Sequence, residues 1–108
     1  MYLMKPNGEA LAEEHATLLG AMANPARLSV LALVSQREWT VNELANAVNL
    51  SQSALSQHLA KLRERGMVDT RRDAQSIYYS CRSPAVATIL NALKEIVEPT
   101  TALRTASK

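Results

Sequence analysis

The sequence predicts a mainly α-helical domain that carries one small β-hairpin. Its 108 residues suit a single domain spanning 1–108, and we expect 1–8 and 100–108 to be flexible termini. Alanine and leucine abound whereas aromatic residues make up only 4% of the chain, which favours helices around an aliphatic core. The apolar period is 3.6 residues as far as Gly66, becomes 2 from Val68 to Cys81, and returns to 3.6 after Pro84.

Two helices are predicted at the start of the chain. The first spans Glu9 to Met22, because side chains that suit a buried stripe recur at helical spacing. This stripe consists of Leu11, His15, Leu18 and Met22. Asn24 and Pro25 form a start signal, an N-cap followed by proline at the first helical position, so a second helix is predicted over 25–36. Its inward side chains are expected to be Leu28, Leu31 and Ala32.

A helix-turn-helix pattern follows. Thr40 caps a third helix, and Glu43 completes a capping box. The apolar face of this helix is predicted to consist of Val41, Leu44, Ala45 and Val48. Asn49 tolerates the left-handed conformation that ends a helix, Ser51 caps a fourth helix, and Gly66 stops it. The core side of the fourth helix is predicted to be Leu55, Leu59 and Leu62. A short helix, a tight turn and a longer helix are typical of this motif.

The residues after Gly66 predict a hairpin and a last helix. Alternation over 68–72 and 77–81, with a turn at 73–75, is typical of a β-hairpin. A second start signal, Ser83-Pro84, opens a fifth helix, which Pro99 is expected to end at about Glu98. Its apolar side chains form a narrow seam of the kind seen between paired helices. The seam consists of Val86, Ile89, Leu90, Leu93, Ile96 and Val97. A helix-turn-helix followed by a hairpin is a winged helix.

Charge is unevenly distributed along the chain. The net charge is +2, but residues 1–50 carry −2 and residues 51–82 carry +3. Such a basic block is typical of a surface that faces a polyanion, although a solvated face would have the same composition. No apolar run approaches the roughly 20 residues of a membrane span and no signal peptide is evident, so we expect a cytoplasmic protein with no membrane partner.

The fourth helix has an outward face that suits double-stranded DNA. That face consists of Ser53, Ser56, Gln57 and Ala60, with Gln52 at the start of the helix. Small side chains permit close approach in the major groove, glutamine can present a donor–acceptor pair to adenine, and serine can contact a base or a phosphate. The backbone amides after Ser51 suit a phosphate, and Lys61 and Arg63 can neutralise backbone charge. The pattern favours DNA recognition over an ordinary polar surface.

The hairpin tip and His58 extend this candidate site. Arg71, Arg72 and Gln75 are placed to reach phosphates or an adjacent minor groove, the alternative being a purely structural hairpin. His58, on the flank of the fourth helix, either donates to a phosphate or fills a contact within the chain.

Other chemistry is not predicted. His15 suits a core or interface histidine better than a metal ligand. Cys81, the only cysteine, suits a small buried hydrophobe better than a redox sensor, and one thiol cannot form an intrachain disulfide or a multi-thiolate metal site. The sequence offers no nucleophile–base pair, paired carboxylates or phosphate-cradling glycine loop, so we predict no catalytic residue, metal or cofactor.

Three stretches of the sequence resemble the ArsR/SmtB family of bacterial winged-helix repressors, above all a branch of nodulation and virulence regulators. They are AMANPARLSVL, LSQSALSQHLAKLRERGMV and TRRDAQSIYYS. The resemblance implies a homodimer whose first and last helices form the interface, so the stripe and the seam above become the expected interface residues. Two recognition helices would then lie in successive major grooves of an inverted repeat.

The effector sites of that family do not carry over to this sequence. Its metal sensors place cysteines on the third helix, or Asp and His pairs on the last; here TVNELANAV has no thiol and SPAVATILNALKEIVE has no histidine. Ala32 stands where some thiol-sensing relatives carry cysteine. We therefore expect a homodimeric DNA-binding repressor of a pseudo-palindromic operator. A thiol-responsive repressor that uses Cys81, and a winged-helix module that binds protein rather than DNA, are the alternatives.

Overall fold

A computed structural model describes the backbone of residues 11–107 and the side chains of residues 11–96. Over that range the chain forms a winged helix-turn-helix of five helices and a three-stranded antiparallel sheet. The helices are α1 (Leu11–Met22), α2 (Pro25–Gln36), α3 (Val41–Val48), α4 (Gln52–Glu64) and α5 (Pro84–Ser107). The strands are β1 (Trp39–Thr40), β2 (Asp69–Asp73) and β3 (Ser76–Ser80), in the order β1-β3-β2.

The predicted caps start the helices. The Asn24 side chain accepts a hydrogen bond from the Arg27 amide at 3.1 Å, and Ser51 Oγ accepts one from the Ala54 amide at 3.1 Å. Both arms of the capping box are present: Thr40 Oγ1 accepts from the Glu43 amide at 3.2 Å, and Glu43 Oε1 accepts from the Thr40 amide at 2.9 Å. These bonds satisfy backbone donors that a helix start leaves unpaired, so they fix where α2, α3 and α4 begin.

Left-handed residues end α3 and α4. Asn49 has a φ of 57° and Gly66 a φ of 71°. After Gly66, the Met67 amide donates to the Leu62 carbonyl at 2.9 Å, which turns the chain away from α4 towards the sheet. The prediction that Pro99 ends α5 is wrong, since the helix continues to Ser107. The fixed φ of proline suits a helix, and its missing N–H removes only one bond of the ladder.

The sheet contains the predicted hairpin and one further strand. In the hairpin Asp69 pairs with Ser80 and Asp73 with Ser76, so the two strands are in register along their whole length. The strand β1, which pairs with β3, was not predicted, because two residues are too short to show an alternating pattern. It attaches the segment before α3 to the wing.

The core lies between the helices and the inner face of β3. Among residues 11–96, fourteen buried apolar residues form it: Ala21, Met22, Val30, Leu31, Val34, Leu44, Ala45, Leu55, Leu59, Leu62, Met67, Val68, Tyr79 and Val86. The predicted leucines of α4 are all among them. On α2 the inward prediction is partly wrong: Ala32 is exposed, Leu28 is half-buried, and Val30 and Val34 are buried instead. The misplaced position on α2 is therefore Ala32, since Leu28 still packs against the core that Val30, Leu31 and Val34 join.

Residues 1–10 lie outside the described range, so the predicted helix start at Glu9 and the flexibility of 1–8 stay predictions. The backbone of 100–107 is part of α5, and the flexibility of this end also stays a prediction. Over the described residues, no single helix has the length and hydropathy to cross a membrane. The pair α1 and α2 together passes that test on length and composition, with a bend of 92° between them.

Candidate nucleic-acid interface

The outward face of α4 is built by the burial of its opposite face. Leu55, Leu59 and Leu62 are at most 1% exposed, so the rotation of the helix about its axis is fixed. The side chains predicted to point outward are all exposed: Ser53, Ser56, Gln57, Ala60, Lys61 and Arg63. Small polar residues occupy the first turns and cations the last turn, where they also face the negative end of the helix dipole. This face is polar, narrow and basic at one end.

The N-terminus of α4 is tied to α3 by side chains. Ser51 Oγ caps the helix, so the hydroxyl of Ser51 is already used as an acceptor. Gln52 Nε2 donates to Asn42 Oδ1 across the two helices. The second amide group of this pair, Asn42, was not singled out from the sequence, because nothing local to α3 indicates a partner ten residues away. The Gln52 side chain is therefore held in place rather than freely mobile.

Gln52 and Gln75 line one shallow groove between α3, α4 and the wing. The groove is lined by Thr40, Val41, Asn42, Gln52, Gln75, Ser76 and Ile77. The structure thus brings together the start of the fourth helix and the tip of the hairpin, both of which belong to the candidate site predicted from the sequence. Their separation along the chain is more than 20 residues, so this arrangement depends on tertiary contacts, among them the pairing of β1 with β3.

The two wing arginines lie in different surroundings. Arg71 Nε and Nη2 donate to the two carboxylate oxygens of Glu38 at 2.8 and 2.9 Å, and the guanidinium lies 4.6 Å from the centre of the Tyr78 ring. Arg71 and Tyr78 are cross-strand partners, so both point to the same face of the hairpin. The hydrogen bond from Arg71 holds the pKa of Glu38 below its ordinary value, and the same bond raises the pKa of Arg71. Glu38 thus balances the charge of Arg71, and Arg71 serves as a strut, which means that its side chain links the wing to the segment before β1.

Arg72 points to the opposite face of the hairpin. It pairs with Ile77 in the strand register and is exposed. Among residues 11–96 its side chain has no ion pair or hydrogen bond, which leaves its charge available to a ligand. From the sequence, both arginines were predicted to contact DNA. The alternation of side chains along a strand nevertheless already indicates that they lie on opposite faces of the hairpin.

His58 makes a contact within the chain. Its Nδ1 lies 3.4 Å from Arg27 Nη1, and Arg27 Nε donates to the Ala21 carbonyl at 2.6 Å. Of the two alternatives for His58, the intramolecular contact is therefore present, and the phosphate contact stays a prediction. Arg27 itself was not singled out, yet a signal was available: a cation in the first turn of a helix opposes the helix dipole and needs an acceptor elsewhere.

The expected interface residues fall into three groups. Met22 and Val86 are 2% and 0% exposed within one chain, so they belong to the core and the prediction that they contact a partner is wrong. Half-buried positions are Leu11, His15, Leu18, Ile89 and Leu90. Leu93 and Ile96 are exposed, as is Leu19, which the stripe had missed; Val97 lies outside the described side chains. The apolar period of α1 predicted Leu18 but not its neighbour Leu19. A wide apolar face and a narrow one share most of their positions, so the period alone does not give the width of the face.

The remaining candidates carry no assembled chemistry. Cys81 is half-buried and packs against the core, while its amide donates to the Val34 carbonyl at 2.9 Å. This agrees with a small hydrophobe, and a thiol-sensing role stays a prediction. In the part of the chain that the structure describes, no three His, Cys, Asp or Glu side chains are grouped to hold a metal ion.

Comparison with known proteins decides the family. Residues 24–70 match the model of the "Bacterial regulatory protein, arsR family". The chain is 53% identical over 96 residues to the nodulation protein NolR of Rhizobium meliloti, which covers 89% of this chain and 79% of that protein. It belongs to the ArsR family. The crystal structure of NolR from Sinorhizobium fredii superposes with a TM-score of 0.80 at 54% identity, covering 90% of this chain and 97% of that one.

Two further ArsR-family relatives are similar to this chain. The HTH-type transcriptional regulator YgaV of Escherichia coli is 45% identical over 84% of this chain and 93% of its own length. The transcriptional activator HlyU of Vibrio cholerae is 46% identical over 73% of each. The resemblance inferred from three sequence stretches is therefore confirmed, and so is the winged helix-turn-helix. This ArsR-family chain is a DNA-binding transcriptional regulator.

Proposed function

We propose that the chain is a homodimeric repressor that binds a pseudo-palindromic operator and blocks transcription by occupying it. The observation that carries this proposal is the orientation of α4, whose three core leucines are buried while Ser53, Ser56 and Gln57 are exposed on the other side. A helix held rigidly by its core face can enter a major groove with its opposite face without a rearrangement of the fold.

Within this face we assign separate tasks to polar and charged residues. Ser53, Ser56 and Gln57 read base edges, because their short amide and hydroxyl groups can donate and accept at groove depth. Lys61 and Arg63, in the last turn of α4, contact phosphates. Gln52, held by Asn42, adds a fixed amide at the helix start, and the backbone amides beyond the Ser51 cap suit a phosphate.

The wing contributes one phosphate contact per subunit through Arg72. Arg72 is exposed and without an ionic partner among the described residues, whereas Arg71 is paired with Glu38. We therefore assign Arg71 the task of holding the wing against the segment before β1 rather than of contacting DNA. Gln75 at the turn lies in the same groove as Gln52 and can follow the DNA backbone beside it.

The proposed dimer buries the apolar faces of α1 and α5. Leu19 is 51% exposed and Ile96 63%, and both lie on these two helices. A further groove between the helices is lined by His15, Leu18, Leu19, Pro84, Ala85, Thr88 and Ile89. Large apolar side chains in such a group mark a surface that another chain covers. In the proposed dimer a two-fold axis relates the two copies of α4, which is the symmetry of an inverted repeat.

DNA-binding assays in solution test whether the polar residues of α4 read bases while its cations contact phosphates. Operator fragments selected from genomic DNA and random duplexes of equal length would be titrated by fluorescence anisotropy at several salt concentrations. Gln57→Ala should lose about 1–3 kcal/mol of preference for the operator while keeping its affinity for random DNA. Lys61→Ala should weaken binding to both DNAs and lower the salt dependence.

Equal losses on operator and random DNA for both variants would contradict the proposed division. Absence of any preference in the unsubstituted protein would contradict sequence-specific binding and favour the protein-interaction alternative. Repression as opposed to activation is tested separately, by a reporter driven from the selected promoter, since HlyU is a transcriptional activator. Reporter output that rises with the regulator would overturn repression and leave operator binding intact.

We further propose that the chain acts by binding alone, without catalysis, metal or cofactor. The arrangement of α4, the wing and the apolar faces accounts for its candidate functional residues without a reaction centre. A regulator of bacterial promoters works where the chromosome lies, which supports the cytoplasm as its location.

A further inference from the structure

Arg27 connects three parts of the fold through one guanidinium. Its Nε donates to the Ala21 carbonyl at 2.6 Å and its Nη2 to the Gly20 carbonyl at 3.4 Å, both in the last turn of α1. Its Nη1 lies 3.4 Å from His58 Nδ1 on α4. The carbonyls at the end of a helix lack partners within it, so they are natural acceptors for a cation held at the start of the next helix.

This contact fixes which nitrogen of His58 carries the proton. A guanidinium has five N–H donors and no acceptor, so His58 Nδ1 must be the acceptor in the bond. A neutral imidazole that accepts at Nδ1 carries its proton on Nε2. Of the two neutral tautomers, the Arg27 contact therefore selects the one with an Nε2–H donor.

The Nε2–H group is accessible to solvent. Among residues 11–96 it has no hydrogen-bond partner, and no side-chain nitrogen or oxygen there is both buried and unpartnered, so Nε2 is in contact with solvent. The two ring nitrogens point more than a right angle apart, and Nδ1 is turned inward to Arg27. His58 is flanked in sequence by the exposed Gln57 and lies one residue short of the buried Leu59, at the edge of the outward face of α4.

We propose that Arg27 is a positioning residue for DNA binding, which holds His58 so that Nε2–H donates to a backbone phosphate. The proposal rests on the proposed docking of α4 in the major groove. A hydrogen-bond chain then runs from the end of α1, through Arg27 and His58, to the DNA backbone. Because the donor is neutral, this contact displaces no counterion, which distinguishes it from the contacts of Lys61 and Arg63.

A matched pair of substitutions separates the two nitrogens. The amide nitrogen of glutamine reaches the position of histidine Nε2, whereas that of asparagine reaches only the position of Nδ1. His58→Gln should keep most of the affinity for operator and random DNA. His58→Asn should lose roughly tenfold per subunit on both DNAs, the size expected for one hydrogen bond to a charged group in each subunit of the proposed dimer, with an unchanged salt slope. Equal affinities for the two variants would overturn the phosphate contact.

A double-mutant cycle tests whether Arg27 acts through His58. Arg27→Met should weaken DNA binding by a factor similar to that of His58→Asn, and the double variant should be no weaker than either single variant. Arg27→Lys keeps the charge but cannot donate to two carbonyls and an imidazole at once, so it should lose affinity as Arg27→Met does, with an unchanged salt slope in both variants. Additive losses, or full recovery of affinity by lysine, would show that Arg27 does not act through the ring.

The tautomer is measured directly in the DNA-free protein. Nitrogen-15 spectra of the His58 ring should show protonation on Nε2 in the unsubstituted chain and a mixture of tautomers in Arg27→Met. A mixture in the unsubstituted chain would overturn the positioning role. This measurement needs no DNA, so it decides the Arg27 part of the proposal even if the chain binds no operator, an outcome that would instead refute the proposed function. If Arg27→Met is unfolded by circular dichroism, the His58 pair and Arg27→Lys still decide the proposal.

Discussion

The two neighbouring arginines of the wing should respond differently to salt. Arg72 is exposed and without an ionic partner among the described residues, whereas Arg71 shares its charge with Glu38 through two hydrogen bonds of 2.8 and 2.9 Å. Each phosphate that a cation neutralises contributes about 0.9 to the slope of log affinity against log salt concentration. Since the proposed dimer carries two wings, Arg72→Gln should lower that slope by about 2, and between ~50 and ~200 mM salt this amounts to a roughly tenfold difference.

The matched variant removes the paired charges together. Glu38→Gln with Arg71→Gln leaves the net charge of the wing unchanged, so its salt slope should equal that of the unsubstituted protein. Glu38→Gln alone releases Arg71, so the slope should rise towards one further contact per wing. Both are measured by fluorescence anisotropy on a random duplex at four or more salt concentrations, where base recognition plays no part. A loss of slope in the double variant equal to that of Arg72→Gln would refute the assignment of Arg71 as a strut.

Three other substitutions test the fold and the dimer. Thr40→Ala removes one arm of the capping box of α3 and should lower the free energy of unfolding by about 1 kcal/mol in urea titrations. Ile96→Glu places a charge on the exposed apolar face of α5 and should convert a dimer to a monomer in sedimentation experiments. Glu38→Gln should make the free energy of unfolding depend less on pH in the acid range. The hydrogen bond from Arg71 lowers the pKa of Glu38 below 4.5, so the stability due to this pair is present above that pH and is lost as the pH falls through the lowered value.

Controls for these variants come from the same chain. Thr17→Ala makes the same change at an exposed site inside α1, where alanine is the better helix former, so it should not destabilise the protein. Asn46→Glu adds the same charge on an exposed face of α3 and should leave the dimer intact. Equal destabilisation by the two threonine variants, a persistent Ile96→Glu dimer, or identical acid profiles with and without Glu38 would each contradict the corresponding interpretation.

Local signals predicted most of the architecture. The N-caps Asn24, Thr40 and Ser51 act within three residues of themselves, and Gly66 acts on the carbonyls just before it. Such signals need no tertiary contact, so the starts of α2 to α4 and the end of α4 were predictable. Where the prediction failed, at β1, the element is too short to show a period, and at Pro99 a local rule was overridden.

The sequence predicted which residues of the candidate interface lie on the surface, but not which side chains contact one another. The leucine spacing of α4 determined that Ser56 and Gln57 lie outside, because a helix with one buried face has one exposed face. The same reasoning could not separate Met22 from Leu18, since both occupy the stripe of α1. Only the tertiary packing makes Met22 a core residue while Leu18 stays half-buried.

The sequence by itself determined the helix-turn-helix, the hairpin, the exposed face of α4 and the family of the chain. The tertiary structure decided which polar side chains already have partners. Arg71 meets Glu38 across 33 residues of chain, and Arg27 meets His58 across 31. Periodicity and caps extend over a few residues, whereas these pairs depend on how β1 joins β3 and how α2 crosses α4. For that reason Arg71 is assigned a structural role and Arg72 a proposed DNA contact, and His58 has a partner within the chain.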